Sequence, residues 1–65
     1  MRFEEALKAM REGKKVNPNC YKDSKYIYYL DRNGKQIILI LYGNEVATTF
    51  NYQEIMSEDW EIIDE

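Results

Sequence analysis

The sequence predicts an α+β fold in which an N-terminal helix packs on a small antiparallel β-sheet. Apolar residues recur at helical spacing over residues 2–12, three runs of β-type residues follow between residues 25 and 50, and tight-turn residues separate those runs. The three runs form a meander with a short strand before it and another after it. A short second helix precedes the last strand. We expect residues 1–65 to form a single domain.

The first helix is expected over residues 2–12. Phe3, Leu7 and Met10 fall at positions i, i+4 and i+7, which places them on one face of a helix. Acidic residues occupy the first turn and a basic residue occupies the last, as the helix dipole favours. Gly13 then supplies the left-handed residue that commonly ends a helix. We interpret the apolar face as part of the core.

The meander is expected over three runs that follow a loop rich in Asn, Pro, Asp and Ser. Residues 25–30 combine tyrosine with isoleucine, and residues 36–42 are apolar at nearly every position. Residues 45–50 are more polar, which favours a place near the sheet edge. Asn33-Gly34 and Gly43-Asn44 are typical of the tight turns that join antiparallel strands, because such turns need positive φ.

Short elements complete the predicted fold. Val16 is expected in a first short strand, and residues 60–63 are expected in a last strand that pairs with it and brings the two termini together. Residues 52–57 are predicted to form a short helix, because an asparagine N-cap is followed three residues later by a glutamate. We expect Ile55 and Met56 to turn inward from that helix.

The run over residues 36–42 also predicts self-association. Side chains alternate between the two faces of a strand, and here both faces are apolar. Ile38, Ile40 and Tyr42 share one face, and Ile37, Leu39 and Leu41 share the other. A sheet in a small isolated domain usually has one solvated face, and one helix covers only the other. Because a chain of this size also has a marginal core, we expect a homodimer or a homotetramer.

The charge distribution argues against binding to duplex DNA. Residues 1–15 carry five basic and three acidic side chains, whereas residues 54–65 carry six acidic side chains and no basic one. Duplex DNA requires a basic stripe, while the N-terminal basic residues would suit a small anionic ligand. The apolar runs are too short to span a membrane, so we expect no membrane partner. The sequence starts without a signal peptide and has a single cysteine, which favours the cytoplasm.

The composition lacks the residues that most catalytic and metal sites use. There is no histidine, which is the commonest general base, and Cys20 therefore has no histidine to activate it. One cysteine without histidine cannot form a structural zinc site. The three glycines are isolated turn residues and not a phosphate-binding loop. We expect no enzymatic activity, no metal and no cofactor.

Small-ligand binding is easier to build from these residues. Six tyrosines and one tryptophan offer stacking planes, which are worth about 1–3 kcal/mol per base in single-stranded nucleic-acid recognition. The candidate ligand contacts are Lys14, Lys15, Tyr21, Lys22, Tyr28, Asp59 and Trp60. In this set the lysines balance phosphate charge and the aromatic rings stack. For the tyrosines and for Trp60 the alternative is that the ring simply fills the core.

The two ends of the chain resemble a known family. Residues 1–16 read MRFEEALKAMREGKKV, and residues 55–62 read IMSEDWEI. These phrases are similar to the opening "F-E-E-A-L-x-x-L-K-x-G-K-K-V" and the closing "L-x-x-x-D-W-E-I" of a phage and prophage family, the second class of Thoeris anti-defence proteins. The two phrases also stand in the order that the family shows.

The resemblance implies a function. Members of that family are small α+β proteins that form homodimers and tetramers. They act as sponges that bind cyclic nucleotide immune signals, such as cyclic ADP-ribose derivatives, without cleaving them. By this resemblance Asp59 and Trp60 match the closing phrase, Tyr21 stands where the family has tryptophan, and Cys20 stands where it has serine. Asp59 would then accept hydrogen bonds from a ribose hydroxyl or a base edge.

A second class of function stays open. Some relatives in that family have been linked to inhibition of CRISPR nucleases. The acidic C-terminal segment would then present charge like that of a nucleic acid to a basic surface on a bacterial defence protein. Such a protein-binding inhibitor would show steep salt dependence, whereas a small-ligand sponge would respond to individual cyclic nucleotides.

Overall fold

A computed structural model of the chain describes residues 1–20 and 26–63. The elements are α1 (Phe3–Arg11), β1 (Lys15–Asn17), β2 (Ile27–Leu30), β3 (Ile37–Leu41), β4 (Asn44–Thr48), α2 (Tyr52–Met56) and β5 (Glu61–Ile63). The strands form one sheet in the order β4-β3-β2-β1-β5, and every neighbouring pair is antiparallel. The predicted α+β fold is confirmed, including the pairing of the first and last strands and the edge position of β4.

Helix α1 spans Phe3–Arg11, one residue less at each end than the predicted range. The backbone N–H of Arg2 donates to the Glu5 carboxylate at 3.1 Å, which satisfies a backbone donor at the N-terminus of the helix. Gly13 follows the helix with φ of 87°, a conformation that side chains with a Cβ rarely adopt. Met10 is fully buried, and Phe3 and Leu7 pack against the core. The predicted apolar face of the helix is therefore a core face.

The strand register separates the sheet into two faces. Val16 pairs with Tyr28, Tyr28 with Leu39, and Leu39 with Val46, so these side chains point to the same side. The first three are buried together with residues of α1, which makes this side the core face. The side chains of the opposite side, which we call the outer face, include Lys15, Ile27, Tyr29, Ile38, Ile40, Glu45, Ala47 and Ile63.

An aromatic cluster fills the space between the core face and the helices. The Tyr28 and Phe50 rings lie 4.9 Å apart, and the Phe3 and Phe50 rings lie 5.0 Å apart. Trp60 lies 5.6 Å from Phe50 and 5.7 Å from Phe3. Aromatic pairs at such distances contribute about 0.5–1.5 kcal/mol each beyond the area they bury. The cluster joins α1, β2 and the residue that precedes β5.

The ends of the fold meet at this cluster. The amino group of Met1 donates to the backbone carbonyl of Trp60 at 2.9 Å, and the Trp60 N–H donates back to the Met1 carbonyl at 3.0 Å. These two hydrogen bonds, both to the backbone of Trp60, fix Met1 beside the start of β5. Within residues 1–20 and 26–63, no helix has the length and apolar character needed to cross a membrane.

Helix α2 faces the core differently from the prediction. Ile55 and Met56 were expected to turn inward, but their exposed fractions are 42% and 60%, so this prediction is wrong. Glu54 points inward and is 2% exposed. The capping box explains the rotation, because the Asn51 side chain accepts from the Glu54 N–H and the Glu54 carboxylate accepts from the Asn51 N–H, both at 2.9 Å.

Buried Glu54 is stabilised by further hydrogen bonds. The hydroxyl of Tyr28 donates to its carboxylate. The indole N–H of Trp60 donates to the Glu54 backbone carbonyl at 3.0 Å. A buried carboxylate is costly unless such partners offset the loss of water. Two aromatic rings and a helix cap therefore fix how α2 sits on the core.

Both hairpin turns differ in detail from the sequence expectation. Tyr42 and Gly43 form the β3–β4 turn, with φ of 51° and 81°, because Leu41 pairs with Asn44. The predicted Gly43-Asn44 turn is therefore displaced by one residue, and Tyr42 leaves the strand face on which it was placed. In the β2–β3 loop only Gly34, not Asn33, has positive φ.

Candidate functional site

Two of the predicted ligand contacts lie in the core. Tyr28 and Trp60 are each 2% exposed, and their ring centres lie 6.0 Å apart. The polar atoms of both side chains bond to Glu54. Of the two interpretations offered for Trp60, the structure places the ring in the core of the protomer. Neither ring presents a free stacking face to a ligand.

The two candidate lysines at the start of β1 lie near the surface. Lys14 Nζ lies 3.4 Å from the Glu12 carboxylate, and both side chains are half exposed. Lys15 begins β1, and its Nζ lies 5.9 Å from the centre of the Tyr29 ring. This cation–aromatic pair lies on the outer face of the sheet.

Asp59 lies away from these lysines. It is exposed and precedes β5, and its backbone carbonyl accepts a hydrogen bond from Asn19 Nδ2 at 3.0 Å. Lys15 pairs with Ile63, four residues further along the chain, so roughly 13 Å of extended chain separates Asp59 from the lysine end of β1. The structure does not bring Asp59 together with Lys14 and Lys15. Tyr21 and Lys22 fall outside the described residues.

The two phrases that carry the family resemblance are neighbours in space. Residues 1–16 and 55–62 meet through the β1–β5 pairing. The segment after β1 is also held in place, because Ser57 Oγ donates to the Pro18 carbonyl at 2.7 Å and Gln53 Nε2 donates to the Cys20 carbonyl at 3.1 Å. The closing phrase and α2 thus hold Pro18 and Cys20, which follow β1.

The outer face carries a block of large side chains outside the core cluster. Ile27 pairs with Ile40, and Tyr29 pairs with Ile38, so four large side chains form a block on β2 and β3. All four are half-buried, and none belongs to the core cluster or packs against it. In the part of the chain that the structure describes, both helices lie on the core side, α1 on β1 and β2 and α2 through Glu54.

Tyr29 is the polar centre of this face. Its hydroxyl donates to Glu45 Oε1 at 2.8 Å. This hydrogen bond raises the pKa of Tyr29 above its ordinary value, and partial burial and the negative charges of Glu45 and Asp31 raise it further. Lys15, Tyr29 and Glu45 together offer a cation, a ring and a carboxylate on one surface.

Tyr29 and Glu45 were absent from the predicted site, which included Tyr28 instead. The strand alternation already placed Tyr28 and Tyr29 on opposite faces. Val16 decides which of the two tyrosines faces the core. It is the one apolar residue of the three-residue strand β1, where it lies between Lys15 and Asn17. Because Val16 must face the core, its partner Tyr28 also does, and Tyr29 is left outside.

The described residues form a groove at one end of the sheet but no metal-ligand cluster. Among residues 1–20 and 26–63, no three Cys, Asp or Glu side chains lie close enough together to hold a metal ion. A groove of about 540 Å³ at the end of β3 and β4 is lined by Lys35, Gln36, Ile37, Ala47, Thr48 and Thr49. Lys35 is the charged residue of its lining.

No protein-family model, curated protein or solved structure matches this chain. The candidate site is therefore defined by the fold, by the outer face and by the two end phrases.

Proposed function

We propose that this chain is a non-catalytic binding protein that pairs with further copies of itself through the outer face and sequesters a small anionic ligand there. The composition of the outer face is the observation that supports this proposal. This face presents a block of isoleucines beside Lys15, Tyr29 and Glu45, on a sheet whose other face already holds the core. In this proposal a second copy covers this surface.

The isoleucines support pairing between copies. Ile27, Ile38 and Ile40 are adjacent across β2 and β3, and burying apolar surface contributes about 25 cal/mol per Å². A chain of 65 residues gains proportionally more from such burial than a larger domain does, because its own core is small. Two outer faces are alike, so a two-fold arrangement brings isoleucine against isoleucine. A homodimer satisfies this contact, and a homotetramer extends it.

The polar group on the same face supports the ligand class. A cyclic nucleotide or an ADP-ribose derivative carries a base that stacks, phosphates that need cations and ribose hydroxyls that donate hydrogen bonds. The Tyr29 ring, the ammonium group of Lys15 and the carboxylate of Glu45 match these three needs. Tyr29 takes the stacking role that was predicted for Tyr28 and Trp60.

The end phrases support the biological setting. They resemble the second class of Thoeris anti-defence proteins, and the fold brings the two phrases into direct contact. In that setting the protein is phage-encoded and acts in the cytoplasm of the host bacterium. It withholds an immune signal by binding it, and the ligand leaves unchanged.

The proposal is tested by thermal shift of the purified protein against cyclic mono-, di- and trinucleotides and ADP-ribose derivatives. A ligand at one hundred times its Kd should stabilise the fold by about 2.7 kcal/mol and should be recovered intact. Tyr29→Leu and Lys15→Gln should abolish the shift. The matched controls Tyr42→Leu in the β3–β4 turn and Lys8→Gln on α1 change the same residue types away from the outer face and should retain it. Equal shifts in all four variants, or no shift with any ligand, would contradict the proposal.

A further inference from the structure

Helix α2 exposes an apolar surface that the outer face does not include. Tyr52, Ile55 and Met56 are 78%, 42% and 60% exposed. Positions i, i+3 and i+4 share one side of a helix, so the three side chains form one patch. We call these three residues the α2 patch. Half of the six large apolar residues found exposed in the described chain belong to this single five-residue helix.

The patch continues into a groove. Ile55 and Met56 border a depression of about 200 Å³ between α2 and the start of α1. Phe3 and Ser57 also line it. An exposed apolar helix face beside a concavity of this kind is the form of surface that receives an apolar side chain from a partner.

The charged residues around the groove are mostly acidic. Two of the three charged residues that line it are Glu4 and Glu58. Arg2 is the basic residue of the lining, and it lies 3.9 Å from Glu58 with both side chains largely exposed. An exposed pair at that distance contributes little and separates readily. The rim therefore favours a partner with positive charge.

The α2 patch lies on a different side of the molecule from the outer face. Glu54 of α2 reaches Tyr28 on the core face, so the helix stands on the side of the sheet that α1 covers. Self-pairing through the outer face leaves the α2 patch exposed. The two surfaces are thus able to act at the same time.

We propose that the α2 patch is a docking surface for a protein partner that presents a basic amphipathic segment. The partner's apolar side chains would enter the groove beside Ile55 and Met56. Its lysine or arginine side chains would pair with Glu4 and Glu58. Tyr52 would provide a broad contact at the edge, since tyrosine is favoured at such interfaces. This proposal is independent of the small-ligand function, because it uses none of the outer-face residues.

The test uses a defined probe, a fluorescent helical peptide built from leucine and lysine, with a leucine–glutamate peptide of equal length as its counterpart. Fluorescence anisotropy should show binding of the lysine peptide alone, with affinity falling as salt rises. The double variant Tyr52→Ser with Met56→Ser should weaken binding by about tenfold or more. Tyr42→Ser is the matched control, because Tyr42 is a tyrosine of nearly equal exposure, 76%, in the β3–β4 turn.

A second variant separates charge from apolar contact. Glu4→Gln with Glu58→Gln should weaken binding and flatten its salt dependence while leaving the apolar patch intact. Circular dichroism should show an unchanged fold, since every substituted side chain is exposed. Equal binding of both peptides, or equal loss in the Tyr42 and Tyr52 variants, would overturn the proposal. A change in oligomeric mass in the α2 variants would overturn it as well, because the patch would then belong to contacts between copies.

Discussion

The two faces of the sheet are both rich in large apolar side chains, yet the fold treats them differently. On the core face Val16, Tyr28 and Leu39 are buried under α1 and the aromatic cluster. On the outer face Ile38 and Ile40, the immediate chain neighbours of Leu39, remain half-buried with no described helix above them. The difference shows that apolar content alone does not define a core. A face becomes part of the core when a helix covers it. The apolar face without a described helix above it is a candidate for association with another copy of the chain.

We expect the largest loss of stability from a substitution on the core face of β3, compared with one at a neighbouring residue on the outer face. Leu39→Ala removes a buried side chain and should cost about 2–5 kcal/mol, which is most of the stability of a domain this small. Ile38→Ala on the outer face should cost about 1 kcal/mol in the dilute protein. Urea unfolding measures both values.

Measuring the unfolding free energies of Leu39→Ala and Ile38→Ala at several protein concentrations tests whether the outer faces pair. Paired outer faces link stability to protein concentration by mass action, so the cost of Ile38→Ala should grow as concentration rises, while that of Leu39→Ala stays constant. Equal costs for the two variants at every concentration would show that the two faces do not differ.

A second pair of substitutions compares the two tyrosine hydroxyls of β2. Tyr28 donates to buried Glu54, so Tyr28→Phe leaves a buried carboxylate without one of its donors and should cost about 1–3 kcal/mol. Tyr29→Phe removes an exposed bond to Glu45 and should leave the unfolding midpoint unchanged within error. If Tyr29→Phe were the more destabilising of the two, the assignment of faces would be wrong.

The smallest expected effect is a pH dependence confined to the outer face. The bond to Glu45 raises the pKa of Tyr29, so the folded state favours the protonated phenol. Its contribution to stability is present below the ordinary tyrosine pKa, near 10, and is lost as pH rises through the raised value in the folded protein. Glu45→Gln should move the Tyr29 titration back towards ordinary tyrosine. NMR of ring-labelled tyrosine follows each ring, and an unchanged titration would remove Glu45 as the cause.

Local patterns predicted most of the fold. The α1 spacing, the β-type runs and the Asn51–Glu54 capping box each act over a few residues, and each element forms where its pattern lies. The predictions that were wrong concern features that depend on contacts between residues distant in sequence. Ile55 and Met56 face outward because Glu54 must reach Asn51 and Tyr28, and the pattern of α2 alone does not reveal that competition.

The candidate site was less predictable for the same reason. The sequence predicted aromatic rings and lysines as ligand contacts, and it placed Tyr28 and Tyr29 on opposite faces. Choosing between them required knowing which face α1 covers. That choice follows from the pairing of Val16 with Tyr28, a long-range register set by packing. Lys15 was predicted as a ligand contact, but its aromatic neighbour Tyr29 was not part of the predicted site.

The central claim, that the outer face joins copies of this chain, is tested most directly by the mass of the protein in solution. Sedimentation equilibrium should give a dimer or a tetramer for the natural sequence. Ile38→Lys, which places a charge in the isoleucine block, should give a folded monomer, and Tyr42→Lys in the β3–β4 turn should retain the assembly. A natural protein that stays monomeric at high concentration, or an Ile38→Lys variant that assembles unchanged, would contradict the claim.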